Sequence, residues 1–552
     1  MLYCREDVLD LTKHLVSMNS IVNTHGESVI AHALYSLLSS HPYFNEHPSH
    51  LTIEQTIDDH RERYNVLAFV KGRKGPSNRT VVLMGHMDTV GVDDFNKFHE
   101  EAFQPDKWMK TLKEEIIPDT VKEQLNSGDW LFGRGVLDMK SGVSSNMYLL
   151  EYYAENPEEL SGNLVFIAEC DEEDGSHGIL SAIKTLKEWQ HVHGFEYVAA
   201  INADFVAPRY EGDSNRYIYK GTAGKLLPTF YITGTETHVG ACFEGLDPNY
   251  IAAELTKRIN YNPELCDHSQ GEITAPPVSL KQTDLKPTYS AQTALAALAY
   301  YNFFIHSWSP KDVLEKLKDE AKNAYATAME SYNQKFKAFC DQSGHLYEPA
   351  NKCVRVFDYE EMEQFLIQEH GDTYTTYMDT FKQELLSDDT LDTRLFSVRV
   401  VEEAWKWMPT KEPTIILFYS SLYSPRVEVN GKTNDERILL NALEEAIDTI
   451  QPSYEHPIVT KPFFPYISDM SFVAISDDEE GIQAVKKNNP GWGTKHYVSY
   501  EDVEDLNIPV INIGPYGMDA HSKLERMEMT YSVEIVPNLT KEVIENVLNR
   551  EV

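Results

Sequence analysis

The sequence predicts an α/β protein built around a largely parallel sheet, with a second domain inserted into the first. Up to about residue 211, short apolar runs typical of buried strands alternate with amphipathic helical segments, as in a layered α/β domain. The same alternation of strands and helices returns after about residue 430, whereas the chain between about 211 and 430 has paired strands and long helices. We therefore expect a split domain over 1–211 and 431–552, interrupted by a domain over 212–430.

The elements of the split domain follow from hydrophobic periodicity. Apolar runs predict strands at 65–70, 80–84, 163–168, 197–201 and 508–513. Helical spacing predicts helices at 6–18, 26–40, 140–153, 178–189 and 435–450. The run at 80–84 is almost wholly apolar, which is typical of a parallel strand covered on both faces.

The interrupting domain is predicted to begin with paired strands at 217–233 and a helix at 247–260. Ser309 and Pro310 form a helix start, because Ser caps backbone N–H groups and Pro suits the first helical position. A long helix to about residue 339, helical stretches at 358–387 and 393–408, and a buried-type strand at 414–419 follow. The segment at about 309–412 is therefore predicted to be a mostly helical insert.

Composition limits the function classes. With 552 residues, a hydrophobic fraction of 42% and charged residues at 25%, the chain is globular and too long for one core. The net charge of −38 argues against nucleic acid or an anionic membrane as a partner. The acidic start lacks the pattern of a signal peptide, and the six cysteines form no CxxC pair. We therefore expect a cytoplasmic protein with reduced thiols.

Polar residues that can bind metals stand at the ends of the predicted strands. They are His86 with Asp88, Asp138 in a glycine-bounded loop, the acidic run 171–174, Asp204, and His521. Each also has an ordinary explanation, since Asp caps helices, acidic turns are solvated, and Asp and His often end strands. Together they converge on the carboxyl edge of one sheet, where α/β proteins bind ligands. Histidine mixed with carboxylate suits Zn²⁺, with Co²⁺ or Mn²⁺ as alternatives.

Three strings in this order carry a family resemblance: GHMDTV (85–90), GRGVLDMKSG (133–142) and DEEDGSHG (171–178). They resemble the aminoacylase and glutamate-carboxypeptidase family of co-catalytic metallopeptidases, which includes succinyl-diaminopimelate desuccinylases and peptidase T. The resemblance covers most of 1–260 and 430–552. It implies a zinc-peptidase-like three-layer sandwich with a mostly parallel central sheet, interrupted by an α+β lid domain. Length and the enlarged insert look most like the long branch named for bacterial arginine utilisation, which implies a place in amino-acid catabolism.

The resemblance also implies two divalent metal ions and a role for each candidate residue. His86 and Asp204 would bind one ion, Glu173 and His521 the other, Asp138 would bridge both, Asp88 would orient His86, and Glu172 would be the general base for a water shared by the ions. A cis peptide bond would follow Asp138.

A fourth string, TGTETHVG (233–240), resembles the start of the family's lid. There His238 would stabilise an oxyanion, often across a homodimer formed through the lid. The alternative is a histidine that caps backbone at a strand-to-helix turn. The Arg that the family's lid uses for a substrate carboxylate is missing from 293–304, so that contact is unknown, with Arg426 as a weak candidate.

The predicted function is hydrolysis of an amide bond in a small N-acyl amino acid or short peptide, by a deacylase, dipeptidase or carboxypeptidase. One alternative is a non-catalytic descendant that binds metal or ligand, although such a protein would be expected to have lost Glu172. Another is a scaffold that binds a partner through the helical insert. The sequence contains no Walker A, GxSxG or HExxH string.

Overall fold

The structure is a computed structural model that describes residues 2–350, 352–388, 390–466 and 468–550. It divides into two compact units. The first unit comprises Met1–Thr222, Val427–Ser476 and Ser499–Val552, and the second comprises Ala223–Arg426 and Asp477–Val498. The predicted domain limits stay a prediction. They differ from these units mainly at Asp477–Val498, which the sequence placed in the split domain.

The first unit contains an eight-stranded sheet. In spatial order its strands are Leu51–Gln55, Tyr64–Lys71, Asn163–Glu169, Arg79–His86, Glu196–Asn202, Val510–Asn512, Arg216–Tyr219 and Ile458–Lys461. The four strands from Asn163–Glu169 to Val510–Asn512 are mutually parallel, and antiparallel pairing occurs towards both sides of this block. The predicted α/β class with a mostly parallel sheet is confirmed.

Helices cover the sheet because the middle residues of its central strands are apolar. Residues 81–84 and 164–168 are fully buried, which requires packing on both faces. The α-helices of this unit are Arg5–Val16, Gly26–Ser40, Pro42–Glu46, Pro105–Leu112, Asp119–Ser127, Lys140–Glu155, His177–His193, Asn434–Ile450, Tyr500–Leu506 and Val536–Leu548. Short strands at Trp130–Phe132, Gly517–Met518 and Arg526–Glu528 form a small separate sheet.

The second unit has a six-stranded sheet of its own. Its strands are Gly224–Leu226, Pro228–Thr233, Val278–Asp284, Ala296–Ile305, Arg355–Asp358 and Thr414–Tyr419. Its α-helices are Pro248–Ile259, Pro310–Ser343, Tyr359–His370, Asp372–Leu385, Thr393–Lys406 and Glu479–Lys487. The long helix begins as predicted, with Ser309 and Asp312 forming a reciprocal capping box and Pro310 in the first turn.

Two details of the insert differ from the expectation. The helical stretch predicted at 358–387 is two helices, because Gly371 between them has a positive φ of 56°. The insert also contributes the strand Arg355–Asp358, which pairs in parallel with Thr414–Tyr419. All six cysteines are unpaired. In the part of the chain that the structure describes, no helix is long and apolar enough to cross a membrane.

One glycine, in the first turn of helix Lys140–Glu155, allows this helix to approach the backbone that follows strand Glu196–Asn202. A Cβ atom on Gly142 would lie 2.3 Å from the backbone oxygen of Ala203. Because that oxygen belongs to the backbone, it has little freedom to move aside. Gly142 therefore sets how closely the loop that carries Asp138 can approach the one that carries Asp204.

We predict that Gly142→Ala lowers the free energy of unfolding by about 1–3 kcal/mol, the usual effect of overpacking. The matched control is Gly75→Ala, since a Cβ at Gly75 meets nothing within 4 Å; this change should stay within about 1 kcal/mol of wild type. Urea unfolding of the full chain measures both. Equal stability of the two variants would contradict the close approach at Gly142.

Candidate metal centre

The carboxyl ends of the four parallel strands meet at one edge of the first unit's sheet. Strand Arg79–His86 ends on His86, and Glu173 follows strand Asn163–Glu169. Ligand atoms of His86, Asp138 and Glu173 lie within 4.8 Å of one another. His521, which has a positive φ of 61°, joins them with its Nε2 at 3.2 Å from Glu173 Oε1. Residues from four distant parts of the chain thus form one cluster.

Asp138 lies at the middle of this cluster. Its Oδ1 is 3.1 Å from Nε2 of His86, and its Oδ2 is 3.0 Å from Nε2 of His521. The two carboxylate oxygens therefore face two different imidazoles. The peptide bond between Asp138 and Met139 is cis, as the family resemblance predicted.

Asp88 contacts the acidic loop as well as His86. Nδ1 of His86 is 3.2 Å from the backbone oxygen of Asp88 and 3.6 Å from its Oδ1. The carboxylate of Asp88 accepts hydrogen bonds from the backbone N–H groups of Glu172 at 3.3 Å and Glu173 at 3.2 Å. Asp88 is fully buried. It therefore fixes the backbone that carries the predicted base and one predicted ligand, a contact that the sequence did not predict.

Asp204 is buried and held through its backbone by Asn512, on the neighbouring strand. The N–H of Asp204 donates to Oδ1 of Asn512 at 3.0 Å, and Nδ2 of Asn512 donates to the backbone oxygen of Asp204 at 2.7 Å. Burial and the nearby charge of Asp138 raise the pKa of Asp204 well above its usual value. Asp204 thus belongs electrostatically to the cluster around Asp138.

Sequence reasoning missed the residues that support the loop of Asp138. Glu525 is fully buried, and its Oε1 accepts hydrogen bonds from the N–H groups of Gly135 at 2.8 Å and Leu137 at 3.2 Å. Its other oxygen pairs with Arg134 at 2.6 Å. No sequence motif indicated a structural role for Glu525, because this residue lies far along the chain from the loop that it supports.

A second supporting network, around Arg63 and Asp171, was also not predicted from the sequence. Arg63 is buried and donates two hydrogen bonds to Asp59, at 2.7 and 3.0 Å, and a third to Asp171. The other oxygen of Asp171 is 2.6 Å from Nδ1 of His177. Asp171 comes directly before Glu172, so this network fixes the start of the acidic loop.

The cluster fits divalent cations. Burial raises the pKa of Glu172 well above the usual range, and it also raises the pKa of Glu173. Oε1 of Glu173 is buried, and Nε2 of His521 lies 3.2 Å from it. Buried carboxylates of this number need cations close by. Imidazole and carboxylate donors within 4.8 Å are suitable ligands for zinc and related metals.

Two predicted site residues belong to the second unit, and each has a local partner there. Nδ1 of the exposed His238 accepts a hydrogen bond from the N–H of Gly240 at 3.1 Å, so the capping alternative describes its local structure. Arg426 donates from Nε to the buried carboxylate of Asp477 at 3.1 Å. Its guanidinium is thus engaged within the protein, which leaves Arg426 without an assigned role in substrate binding.

A mostly parallel sheet whose carboxyl edge carries a buried histidine–carboxylate cluster defines the class of α/β metallohydrolases. The model of peptidase family M20/M25/M40 matches residues 82–510, and the chain belongs to that family. The family predicted from the three sequence strings is thereby confirmed.

Full-length relatives exist among known proteins. Protein RocB of Bacillus subtilis (strain 168) is 34% identical over 543 residues, covering 98% of this chain and 95% of that protein. YqjN, an uncharacterised protein of the same organism, is 31% identical over 548 residues, covering 99% and 97%. The M20 family metallo-carboxypeptidase Sso-CP2 of Sulfolobus solfataricus superposes with a TM-score of 0.51 at 11% identity, covering 98% and 99%. At that identity the likeness shows the fold alone.

We predict that binding of divalent metal at pH 7 releases at least about two protons per chain, one from each of two histidines. Without metal, burial works to lower the pKa of His86, but the charge of Glu172 and the contact with Asp138 hold it well above its usual value. Hydrogen bonds with Asp138 and Glu173 raise the pKa of His521 to about 10. Both imidazoles must lose a proton to ligate a metal, so the apparent affinity for metal should rise as the pH is raised above 7.

Calorimetric titration with Zn²⁺ in buffers of different ionisation enthalpy measures this release. His60→Gln is the matched control, because the side chain of His60 is 82% exposed; it should leave the release unchanged. A binding enthalpy that does not depend on the buffer would contradict the assignment of these histidines as ligands.

Proposed function

We propose that this protein is a cytoplasmic hydrolase that uses two divalent metal ions, with zinc as the first candidate, to cleave an amide bond in a small N-acyl amino acid or short peptide. The observation that carries the proposal is the position of Asp138, whose two oxygens lie 3.1 and 3.0 Å from two different histidines. A carboxylate in that position can bind two cations at once.

The chain offers a ligand set for each ion. His86 and Asp204 would hold one, Glu173 and His521 would hold the other, and Asp138 would contact both. Such a pair, when bound, supplies Lewis acidity that lowers the pKa of a water molecule and polarises a carbonyl oxygen. Glu525 and Asn512 keep Asp138 and Asp204 in place through the backbone hydrogen bonds described above.

Glu172 is the proposed general base. Its side chain is 12% exposed, and its Oε2 lies 3.8 Å from Nε2 of His86. Asp88 holds its backbone N–H. From this position Glu172 would take a proton from the attacking water and return it to the departing amine. Oε1 of the neighbouring Glu173 lies 3.2 Å from Nε2 of His521. The two adjacent glutamates would therefore have different roles, Glu172 as the base and Glu173 as a metal ligand.

His238 is proposed to donate a hydrogen bond to the developing oxyanion. Because its Nδ1 accepts from the N–H of Gly240, the neutral ring carries its proton on Nε2. A donor of this kind is worth about 3–4 kcal/mol when it is well placed. Action across a homodimer, through the lid, stays a prediction from the family resemblance.

The substrate class comes from the family, since M20 peptidases and deacylases act on amides. A role in arginine utilisation rests on the resemblance to the long bacterial branch and on the full-length likeness to RocB. The residue that would bind a substrate carboxylate stays unassigned. The insert exposes the apolar side chains of Phe339, Leu346, Ile367 and Tyr377. Single exposed apolar side chains are ordinary on protein surfaces, so they do not favour the alternative of a partner-binding scaffold.

We predict that Glu172→Gln lowers turnover by about 10²–10⁴-fold while metal content stays near wild type, because the base is lost and the ligands are kept. The zinc- or cobalt-loaded protein is screened with N-acyl amino acids, including arginine and ornithine derivatives, and with dipeptides. Asp174→Asn is the matched control, since Asp174 is an exposed acid of the same loop, and it should keep full activity. Wild-type turnover in Glu172→Gln would exclude Glu172 as the base.

We predict that Asp138→Asn removes both ions, because an amide offers only one good ligand oxygen and no charge. Elemental analysis after gel filtration should find close to no zinc in this variant, against two ions per chain in wild type. Circular dichroism checks that the variant is folded. A folded variant that still holds two ions would refute the bridging role.

A further inference from the structure

A buried carboxyl group outside the proposed ligand set holds the far end of the acidic loop. Asp469 is 2% exposed, and its Oδ1 accepts a hydrogen bond from Oγ of Ser176 at 2.7 Å. Ser176 closes the loop 171–176, which carries Glu172 and Glu173. The loop is therefore tied to a segment that lies 293 residues further along the chain.

The two ends of this loop have a backbone conformation that residues with a side chain rarely adopt. Asp171 has a φ of 66° and Ser176 a φ of 54°, in the left-handed region that favours glycine. The N–H of Ser176 donates to the backbone oxygen of Asp171 at 2.7 Å, which closes the loop on itself. Such a conformation persists only where the surrounding structure holds it. Arg63 holds the start of the loop, and Asp469 holds its end.

The residue directly before Asp469 is connected to the other proposed ligand set. Oγ of Ser468 accepts a hydrogen bond from Nδ2 of Asn202 at 2.9 Å. The same amide group of Asn202 donates to Oδ1 of Asn512 at 3.1 Å, and Asn512 forms both backbone hydrogen bonds with Asp204. Two adjacent residues, Ser468 and Asp469, thus join the acidic loop to the strand ends that hold Asp204.

The energetics of Asp469 favour a role in the site over a role in stability. Its Oδ2 is buried and has no hydrogen-bond partner among the described residues. A buried carboxyl group with one hydrogen bond contributes little to the free energy of folding, because its burial costs more than a single bond returns. Burial is the main cause of the raised pKa of Glu172, and the charge of Asp469 adds to it, so these two carboxyl groups are close enough to repel each other. A residue with an unfavourable environment beside a reaction centre is expected where function requires it.

We infer that Asp469 is a positioning residue for the reaction: through its hydrogen bond with Ser176 it holds the acidic loop in the arrangement that lets Glu173 bind metal and Glu172 take a proton. The inference rests on the proposed function for its effect on turnover, and on the metal centre alone for its effect on metal binding. Because the role is geometric, it requires an oxygen that accepts from Ser176, and it does not require the negative charge.

Three variants separate the hydrogen bond from the charge. Asp469→Ala and Ser176→Ala each remove one partner of the bond, whereas Asp469→Asn keeps an oxygen that can accept from Ser176. The matched control is Ser420→Ala, which removes a buried hydroxyl contact of 2.6 Å with Thr229 in the second unit. Zinc affinity is measured by calorimetric titration of the metal-free full chain, and kcat and KM are measured with the best substrate of the hydrolysis screen.

Asp469→Ala and Ser176→Ala should each weaken zinc binding and lower kcat about 10–100-fold, the usual effect of removing a group that supports a metal ligand. KM should stay within about 3-fold of wild type, since no substrate contact is removed. Asp469→Asn should return zinc affinity and kcat to within about 3-fold of wild type, because it keeps the hydrogen bond. The double variant Asp469→Ala/Ser176→Ala should lose no more than the more impaired single variant, because both act through one bond. Ser420→Ala should match wild type in both measurements.

Zinc affinity keeps this inference separate from the proposed function. Loss of affinity in the two alanine variants, with recovery in Asp469→Asn, would support the positioning role even if the wild type hydrolysed no substrate, a result that would overturn the proposed reaction. Unchanged zinc affinity in Asp469→Ala and Ser176→Ala would overturn the positioning role. So would an Asp469→Asn variant as impaired as Asp469→Ala, because the charge would then be what the site requires. If Asp469→Ala does not fold, Ser176→Ala decides the question, since it removes a single hydroxyl group.

Discussion

The burial of negative charge at the edge of one sheet is the constraint on which the rest of the first unit depends. Asp88, Asp138 and Asp204 are all buried there, with Glu172 and Glu173 beside them. Two imidazoles are too few to neutralise them, and burial accordingly raises the pKa of several of these acids. The arrangement is stable at neutral pH only with protons or metal cations among the carboxylates.

The surrounding structure is organised to hold these acids where they repel one another. Glu525 holds the loop of Asp138, Asn512 holds the backbone of Asp204, and Asp88 holds the N–H groups of the two glutamates. Arg63 and Asp171 fix the start of the same acidic loop. Each contact joins segments that are distant in sequence. The fold therefore determines the spacing of the acids, and through it the number of cations that they can share.

The sequence predicted the parts of this arrangement that are local. Strand ends, the helix start at Ser309 and the residue types at His86, Asp138 and Glu173 could be recognised because each depends on neighbours within a few positions. Glu525 and Asn512 could not be recognised, because their role depends on hydrogen bonds with backbone groups hundreds of residues away in the sequence. The strand Arg355–Asp358 was missed for the same reason, because only its pairing with Thr414–Tyr419 makes it a strand.

The most direct test of the account is the location of the metal ions themselves. Anomalous diffraction at the zinc edge from zinc-loaded crystals would show where they bind. The account predicts two peaks per chain, one on each side of the Asp138 carboxylate, with His86 beside the first and His521 beside the second. A single peak, or zinc bound away from Asp138, would contradict it.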